Sequence, residues 1–188
     1  MSNPNDILKL PEIISRRTIY QGRRIDLELL TIRPPDGREA LREVVRHPGA
    51  VVILPITDDG QVVFVRNVRV AIGQVLLELP AGTLDKGESP ADCAARELTE
   101  ETGFTAGRIE PLIDFFTSPG VLSERIWAFV ATGLAAGETE LDAGEQLVNE
   151  LIPYDVAVGL CVDGAIHDGK TIATLLAHHL RPKGGQGR

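Results

Sequence analysis

Short runs of alternating apolar and polar residues dominate the first half of the chain, which is the pattern of half-buried strands. Between Ser15 and Arg46, the segments IDLELLTIR and EALREVV alternate in this way and flank the turn sequence PPDG. These segments predict a small antiparallel β unit that precedes the main part of the chain.

Further strands are predicted downstream of this unit. GAVVILPI and QVVFVRNVRV flank the turn sequence TDDG as a hairpin, and QVLLELP, IEPLIDFFTS and RIWAFVATGL each predict one strand. YDVAVGLCVDG and GKTIATLLAHHL predict two closing helices. Strands mixed with few helices indicate an α/β or α+β fold rather than a regular parallel βαβ series.

One helix has clear start and stop signals. Ser89 can accept a hydrogen bond at the N-cap, Pro90 fits the first helical position, and Asp92 lies in the first turn, which favours acidic residues. Gly103 is a natural left-handed stop. The sequence therefore predicts a helix between Ser89 and Gly103.

Composition narrows the class of protein. The chain has 188 residues, 43% of them hydrophobic, and a formal net charge of -8, which argues against a nucleic-acid-binding protein. No apolar run approaches the roughly 20 residues that span a bilayer, and the first residues do not resemble a secretion signal. Cys93 and Cys161 lie far apart in no metal or redox spacing. These features predict a cytoplasmic protein without membrane contact.

The predicted helix concentrates negative charge in an already acidic chain. Glu97 precedes Glu100 and Glu101 by three and four residues, so the three carboxylates share one helix face, where like charges repel. Hard divalent cations such as Mg²⁺ bind carboxylate oxygens together with water and phosphates. Arg96 can pair with Glu88 or Glu100 and hold a ligand in place. The pattern predicts a metal site, and a solvated acidic face is the alternative.

Residues 82–104 resemble the Nudix box. That pattern is Gly, five residues, Glu, seven residues, Arg-Glu, an apolar residue, any residue, Glu-Glu, any residue, Gly and an apolar residue. The specified places are filled by Gly82, Glu88, Arg96, Glu97, Leu98, Glu100, Glu101, Gly103 and Phe104. The resemblance implies an α/β/α sandwich around a mixed sheet. It also implies hydrolysis of a nucleoside diphosphate linked to another moiety.

The resemblance also implies which residues bind metal. Glu97 and Glu101 would be the principal ligands of two or three Mg²⁺ or Mn²⁺ ions, Glu100 a further ligand, and Glu88 an assisting residue. The carbonyl of Ala81, at the entrance of the box, would coordinate as well. Arg96 and Glu100 would contribute to catalysis from the box itself.

Sequences flanking the box resemble the ADP-ribose pyrophosphatase branch of the family. ELPAG enters the box, TSPG places Pro119 fifteen residues after Phe104, and DGAIHDGKTIATLL resembles the end of the branch. HDGKT and FVRNVRV depart from the usual Asp-Ala-Lys-Thr and Arg-Gln-Tyr-Arg. The implied reaction converts ADP-ribose to AMP and ribose 5-phosphate. GDP-mannose or ADP-glucose as substrate, and a non-catalytic nucleotide-sugar sensor, remain alternatives.

Several polar residues outside the box are candidates for substrate binding and proton transfer. Arg66 and Arg69 can bind phosphate in a bidentate fork, and either can instead lie on a solvated strand edge. Pro119 and Glu124 are further candidates for contact with the substrate, although Glu124 can instead pair with a basic side chain. GEQLV resembles the segment that carries the general base of the branch, which makes Glu145 the candidate, with Asp142 and Glu150 as rivals.

The chain is thereby expected to consist of three parts. Residues 1–46 form the N-terminal strand unit, residues 47–181 the Nudix hydrolase domain, and residues 182–188 a flexible tail. The N-terminal unit resembles the segment that ADP-ribose pyrophosphatases exchange in a domain-swapped homodimer, and unpaired strand edges favour such pairing. The expected partners are therefore a nucleoside diphosphate sugar and a second copy of the chain.

Overall fold

The structure is a computed structural model that describes residues 8–139 and 146–182. The chain divides into two compact units. The first unit runs up to Pro48 and also includes Ser118–Glu124, whereas the second holds Gly49–Thr117 and the chain from Arg125 onward. The three-part division expected from the sequence stays a prediction, and residues 183–188 of the expected tail lie outside the described residues.

The first unit is built on a three-stranded antiparallel sheet. Its strands are β1 (Glu12–Gln21), β2 (Asp26–Arg33) and β3 (Ala40–Arg46), with β2 in the centre. Leu30 and Ile32 of β2 are buried, as expected for one face of an alternating strand. The antiparallel β unit predicted from the alternating segments is confirmed.

A distant segment joins this sheet. The backbone N–H of Val45 donates to the Val121 carbonyl (2.8 Å), and the N–H of Ser123 donates to the Val45 carbonyl (2.9 Å). Residues 118–124 therefore lie along β3, although more than seventy residues separate Val45 from Val121 in the chain. The sequence patterns do not indicate this pairing, because alternation within one segment does not identify the strand that pairs with it.

The second unit contains seven strands and three helices within the described residues. In chain order they are β4 (Ala50–Pro55), β5 (Gln61–Arg69), β6 (Gln74–Glu78), β7 (Ala81–Thr83), α1 (Pro90–Thr102), β8 (Phe104–Phe116), β9 (Arg125–Ala136), β10 (Leu147–Pro153), α2 (Tyr154–Val162) and α3 (Gly169–His179).

Two sheets organise these strands. The first has the order β7-β4-β9-β8 and is mixed, because β4 and β9 run parallel whereas the β4–β7 and β8–β9 pairs are antiparallel. The second has the order β10-β5-β6 and is antiparallel. The mixed sheet expected from the sequence is confirmed.

Helices cover both faces of the mixed sheet. Val51 and Ile53 of β4 pack with Leu98 of α1 in one buried cluster, whereas Val52 and Leu54 belong to a second cluster that includes residues of α2 and α3. Alternate residues of a strand point to opposite faces, so β4 contributes to both cores. This arrangement confirms the expected α/β/α sandwich.

The helix ends follow the capping signals. The Ser89 hydroxyl accepts a hydrogen bond from the Asp92 N–H (3.2 Å), and Gly103 ends α1 with φ of 73° while its N–H donates to the Thr99 carbonyl (2.8 Å). Asp168 caps α3 by accepting from the Thr171 N–H (2.9 Å). None of the helices in the described part of the chain is long and apolar enough to cross a membrane.

The cap of α3 generates a pH-dependent prediction. Burial by itself would raise the pKa of Asp168, but the charge of Lys170 and hydrogen bonds from Lys170 and Thr171 outweigh it, so the pKa lies below its ordinary value of about 3.9. A carboxylate whose pKa is depressed by folding stabilises the fold above that ordinary value and loses this contribution as pH falls. Urea denaturation should show Asp168→Asn less stable than the wild type at pH 7.

The difference in free energy of unfolding between the wild type and Asp168→Asn should narrow as the pH falls below about 4, because the wild-type carboxyl then takes up its proton. A free-energy difference that stays constant from pH 7 to pH 3 would contradict the assigned ionic role of Asp168.

Candidate functional site

Arg96 lies at the centre of the acidic side chains of α1. Its Nη1 is 2.7 Å from Glu97 Oε1 and 2.8 Å from Glu100 Oε2, and its Nε is 2.9 Å from Glu88 Oε1. One guanidinium therefore contacts three carboxylates, and its five N–H donors make that possible. This contact set joins the helix to the loop that precedes it.

The ionisation of these groups follows from the contacts. Hydrogen bonding from Arg96 is the largest effect on Glu88 and lowers the pKa of that carboxyl to about 2. Hydrogen bonding to Glu88, together with the neighbouring Glu97 and Glu100, raises the pKa of Arg96. The Glu88 carboxylate is therefore charged at neutral pH, as an oxygen ligand for a cation must be.

The loop backbone approaches α1 very closely. Ala81 donates its backbone N–H to Glu101 Oε2 (3.0 Å), and Glu101 is buried at 6% exposure. At Gly82 a Cβ atom would overlap the carboxylate group of Glu97. A side chain at residue 82 would therefore displace the Glu97 carboxylate from its place beside the loop.

The donor set at this place suits a hard divalent cation. The carboxylates of Glu97, Glu100 and Glu101 and the Ala81 carbonyl could supply oxygen ligands, and an added Cβ at Gly82 would overlap the Glu97 carboxylate. Within residues 8–139 and 146–182, no three His, Cys, Asp or Glu side chains form a preassembled metal cage. The arrangement fits an ion that shares its ligands with a bound phosphate rather than a closed structural site.

Arg69 faces this region but is paired with an acid that the sequence analysis overlooked. Its Nε and Nη2 lie 2.7 and 2.5 Å from the two carboxylate oxygens of Glu78, which is 1% exposed. Glu78 is the first residue of ELPAG and follows two leucines in a strand. A glutamate in such an apolar run is the signal that could have indicated a buried ion pair.

Arg66 lies on the other face of the same strand. Residues three apart in a strand point to opposite faces, and Arg66 pairs with Glu150 of β10 (2.7 Å). The preceding residue, Asn149, donates its side-chain amide to the Thr102 carbonyl at the end of α1 (2.8 Å). Arg66 and Glu150 are therefore on the side of the sheet away from α1.

A pocket of about 350 Å³ lies beside that second pair. Its lining includes Arg66, Leu77, Glu150, Ile152 and His167. Of the sequence candidates, Arg66 and Glu150 thus come together here, whereas Arg69 comes together with the loop that enters the acidic helix.

Two further candidates belong to the first unit. Pro119 is exposed in the turn before Glu124, and both belong to the first unit. Glu124 Oε1 is 3.7 Å from His47 Nδ1, within the same unit. Glu145 and its rival Asp142 lie outside the described residues, so their proposed role as base stays a prediction.

Comparison with known protein families assigns the chain to one of them. The family model for the NUDIX domain matches residues 45–175, which include the whole of α1 and the loop before it. The chain belongs to the Nudix family. The resemblance seen in residues 82–104 is thereby confirmed.

Individual Nudix relatives cover most of the chain. An ADP-ribose pyrophosphatase from Bacillus subtilis is 38% identical over 160 residues, 84% of this chain and 86% of the relative. A GDP-mannose pyrophosphatase from Yersinia enterocolitica is 35% identical over 147 residues, 73% of this chain and 76% of the relative. A crystal structure of an ADP compounds hydrolase superposes with a TM-score of 0.81 at 25% identity and covers 92% of this chain and 94% of that one.

The close approach at Gly82 yields a stability prediction for this Nudix domain. Gly82→Ala places a methyl group where the Glu97 carboxylate lies, so that carboxylate has to turn away. The free energy of unfolding should fall by about 1 kcal/mol, because the hydrogen bond from Arg96 to Glu97 is lost. Gly159→Ala is the matched control, because no atom lies within 4 Å of its added Cβ and it lies inside α2.

In urea denaturation the control should be as stable as the wild type or up to about 1 kcal/mol more stable, since alanine favours helix over glycine. Equal stability of Gly82→Ala and the wild type would show that the Glu97 carboxylate can turn away from residue 82 without losing a stabilising contact.

Proposed function

We propose that this Nudix protein hydrolyses the pyrophosphate bond of a nucleoside diphosphate sugar, with ADP-ribose as substrate and AMP and ribose 5-phosphate as products. The observation that carries the proposal is the set of charged carboxylates held by Arg96 against a loop without a side chain at Gly82. The ADP-ribose pyrophosphatase relative, aligned over 84% of the chain, supports the choice of substrate.

Charge explains why the reaction needs cations. A chain with a formal net charge of -8 would repel an anionic diphosphate, most strongly beside the carboxylates of α1. Glu97, Glu101, Glu100 and the Ala81 carbonyl would hold two or three Mg²⁺ or Mn²⁺ ions, with Glu88 assisting. When bound, such ions neutralise phosphate charge and lower the pKa of a coordinated water.

The chain's own residues would position the reacting groups. Arg96 orients Glu97 and Glu100, and the Ala81 N–H orients Glu101. Glu145, or Asp142 in its place, would accept the proton of the attacking water. The water oxygen then bonds to one phosphorus in line with the bridging oxygen, the bond from that phosphorus to the bridging oxygen breaks, and two phosphate monoesters result.

Of the two arginines of β5, the one on the same face of the sheet as α1 is the better candidate for contact with the substrate. The side chain of Arg69 is 38% exposed, and the described residues accept no hydrogen bond from its Nη1, so it can donate to a phosphate while Glu78 holds its other nitrogens. Arg66 and Glu150 are paired on the other face, which favours Arg69 over Arg66. Pro119 and Glu124 complete the proposed substrate contacts.

The substrate assignment is tested with a panel of nucleotide sugars. Purified protein with Mg²⁺ is assayed for AMP or GMP release from ADP-ribose, ADP-glucose and GDP-mannose. ADP-ribose should have the highest kcat/KM, and the GDP-mannose pyrophosphatase relative makes GDP-mannose the specific competitor. If ADP-ribose were cleaved about a hundredfold less efficiently than a hexose nucleotide, the substrate assignment would be wrong.

The same panel is run on Glu101→Gln, which keeps an oxygen for the Ala81 N–H but removes the charge. Its turnover should fall by about a hundredfold or more, because a metal ligand is lost. Glu110→Gln, at an exposed ion pair on β8, is the control and should match the wild type. Wild-type turnover also excludes a non-catalytic sensor.

We also propose that the protein is a cytoplasmic homodimer formed through the N-terminal strands, with substrate pockets contributed by both chains. All ten residues of β1 are exposed, among them the apolar Ile13, Ile19 and Tyr20. An exposed edge strand with apolar side chains favours pairing with a second copy.

Sedimentation velocity at micromolar concentration should show a dimer. Replacing Ile13 and Ile19 with lysine should shift the protein towards monomer, because charge on an edge strand opposes pairing. Sedimentation of the wild type as a monomer alone would remove the dimer proposal.

A further inference from the structure

A buried polar cluster at the start of α3 contacts the loop that leads into the acidic helix. Thr171 is 0% exposed, and its hydroxyl donates to Asp168 Oδ2 (2.7 Å). The same oxygen of Thr171 accepts the backbone N–H of Leu79 (2.9 Å), a residue 92 positions earlier in the chain. A single hydroxyl thereby joins α3 to the segment between β6 and β7.

That segment, Glu78–Gly82, is held at successive residues. Glu78 is paired with Arg69, and the Pro80 carbonyl accepts the N–H of Ile53 in β4 (2.9 Å). The Ala81 N–H donates to Glu101, and Gly82 packs against Glu97. The Leu79 N–H is the backbone group in this series that donates to α3.

A charged side chain also connects the Glu78–Gly82 segment to α3. Lys170 Nζ lies 2.6 Å from Asp168 Oδ1 and 3.7 Å from Glu78 Oε2, so one ammonium group interacts with the cap of α3 and with the Glu78–Gly82 segment. Both carboxylates are buried, and buried charges are stable only when they are paired. Asp168 in turn orients the Thr171 hydroxyl so that its lone pair faces Leu79.

We propose that Thr171 is a positioning residue for pyrophosphate hydrolysis, which acts through the Leu79 N–H on the placement of Ala81 and Gly82. The inference rests on the proposed function for the reaction that it serves, but the contact itself does not. Without an acceptor, the buried Leu79 N–H would have to move to find another partner. Ala81 and Gly82 would move with it, and they contact Glu101 and Glu97 directly.

Thr171→Val tests this proposal, because valine keeps the shape of threonine and removes the hydroxyl. Thr174→Val is the matched control: Thr174 lies on the same helix, is also 0% exposed, and its hydroxyl has no hydrogen-bond partner among the described residues. Thr171→Ser is the rescue variant, since serine retains the acceptor for Leu79 but not the methyl group.

Two measurements separate positioning from general stability. The first is Mn²⁺ affinity, titrated without nucleotide and followed by the electron paramagnetic resonance of free Mn²⁺, at a temperature where all variants are folded. The second is kcat and KM for ADP-ribose. In Thr171→Val, Mn²⁺ affinity and kcat should each fall about tenfold or more while KM changes less, as is typical when a residue that orients metal ligands is lost.

Thr174→Val should stay within about twofold of the wild type in both measurements, and Thr171→Ser should recover most of the loss. If Thr171→Val does not fold, Lys170→Met gives the same readout, with a smaller loss of Mn²⁺ affinity expected. Equal Mn²⁺ affinity and kcat in the wild type and in the folded variant at position 171 or 170 would overturn the proposal.

Failure of the substrate assignment gives a different result. If the wild type cleaves no ADP-ribose but Mn²⁺ affinity still falls in Thr171→Val and not in Thr174→Val, the positioning role holds and the proposed substrate is wrong. If ADP-ribose is cleaved and Thr171→Val binds Mn²⁺ as well as Thr174→Val does, the substrate assignment is correct and the positioning role of Thr171 is wrong.

Discussion

The contact of one guanidinium with three carboxylates is the interaction on which the acidic helix depends. Without Arg96, the negative charges of Glu88, Glu97 and Glu100 would lie close together in a chain that already has a large negative charge. The arginine holds these three carboxylates close to one another. Because its side chain is about one-third exposed, the contacts contribute more to orientation than to the stability of the fold.

The two faces of the antiparallel sheet separate functions that look identical in the sequence. Arg66 and Arg69 are both arginines in one short run, and spacing alone could not assign them, since either face could have pointed towards the acidic helix. The register of β5 with β6 and β10 determines the partner of each arginine: Arg69 pairs with Glu78, and Arg66 pairs with Glu150. The alternation of side chains separates the two faces of a strand but does not say which face lies towards α1. Only the tertiary structure provides that information.

Local signals predicted the features that local physics determines. Ser89, Pro90 and Gly103 marked the ends of α1, alternation marked β2, and the box spacing marked the family. The pairing of residues 118–124 with β3 and the bond from Leu79 to Thr171 join parts of the chain that are far apart in sequence. Such pairings leave no periodic pattern in either segment, so the sequence analysis did not find them. The family motif and the helix pattern in HDGKT do not indicate that its Asp168, Lys170 and Thr171 form a buried cluster.

The hydrogen bond between Leu79 and Thr171 has a consequence for how the protein is made. The ribosome adds Leu79 well before residue 171, so the Leu79 amide has no final acceptor until another 92 residues have been added. A nascent chain that has emerged only as far as α1 already carries every acidic residue of the box, but α3 does not yet exist to support the segment in front of it. The segment in front of α1 can therefore reach its final geometry only late in biosynthesis, after α3 has been made.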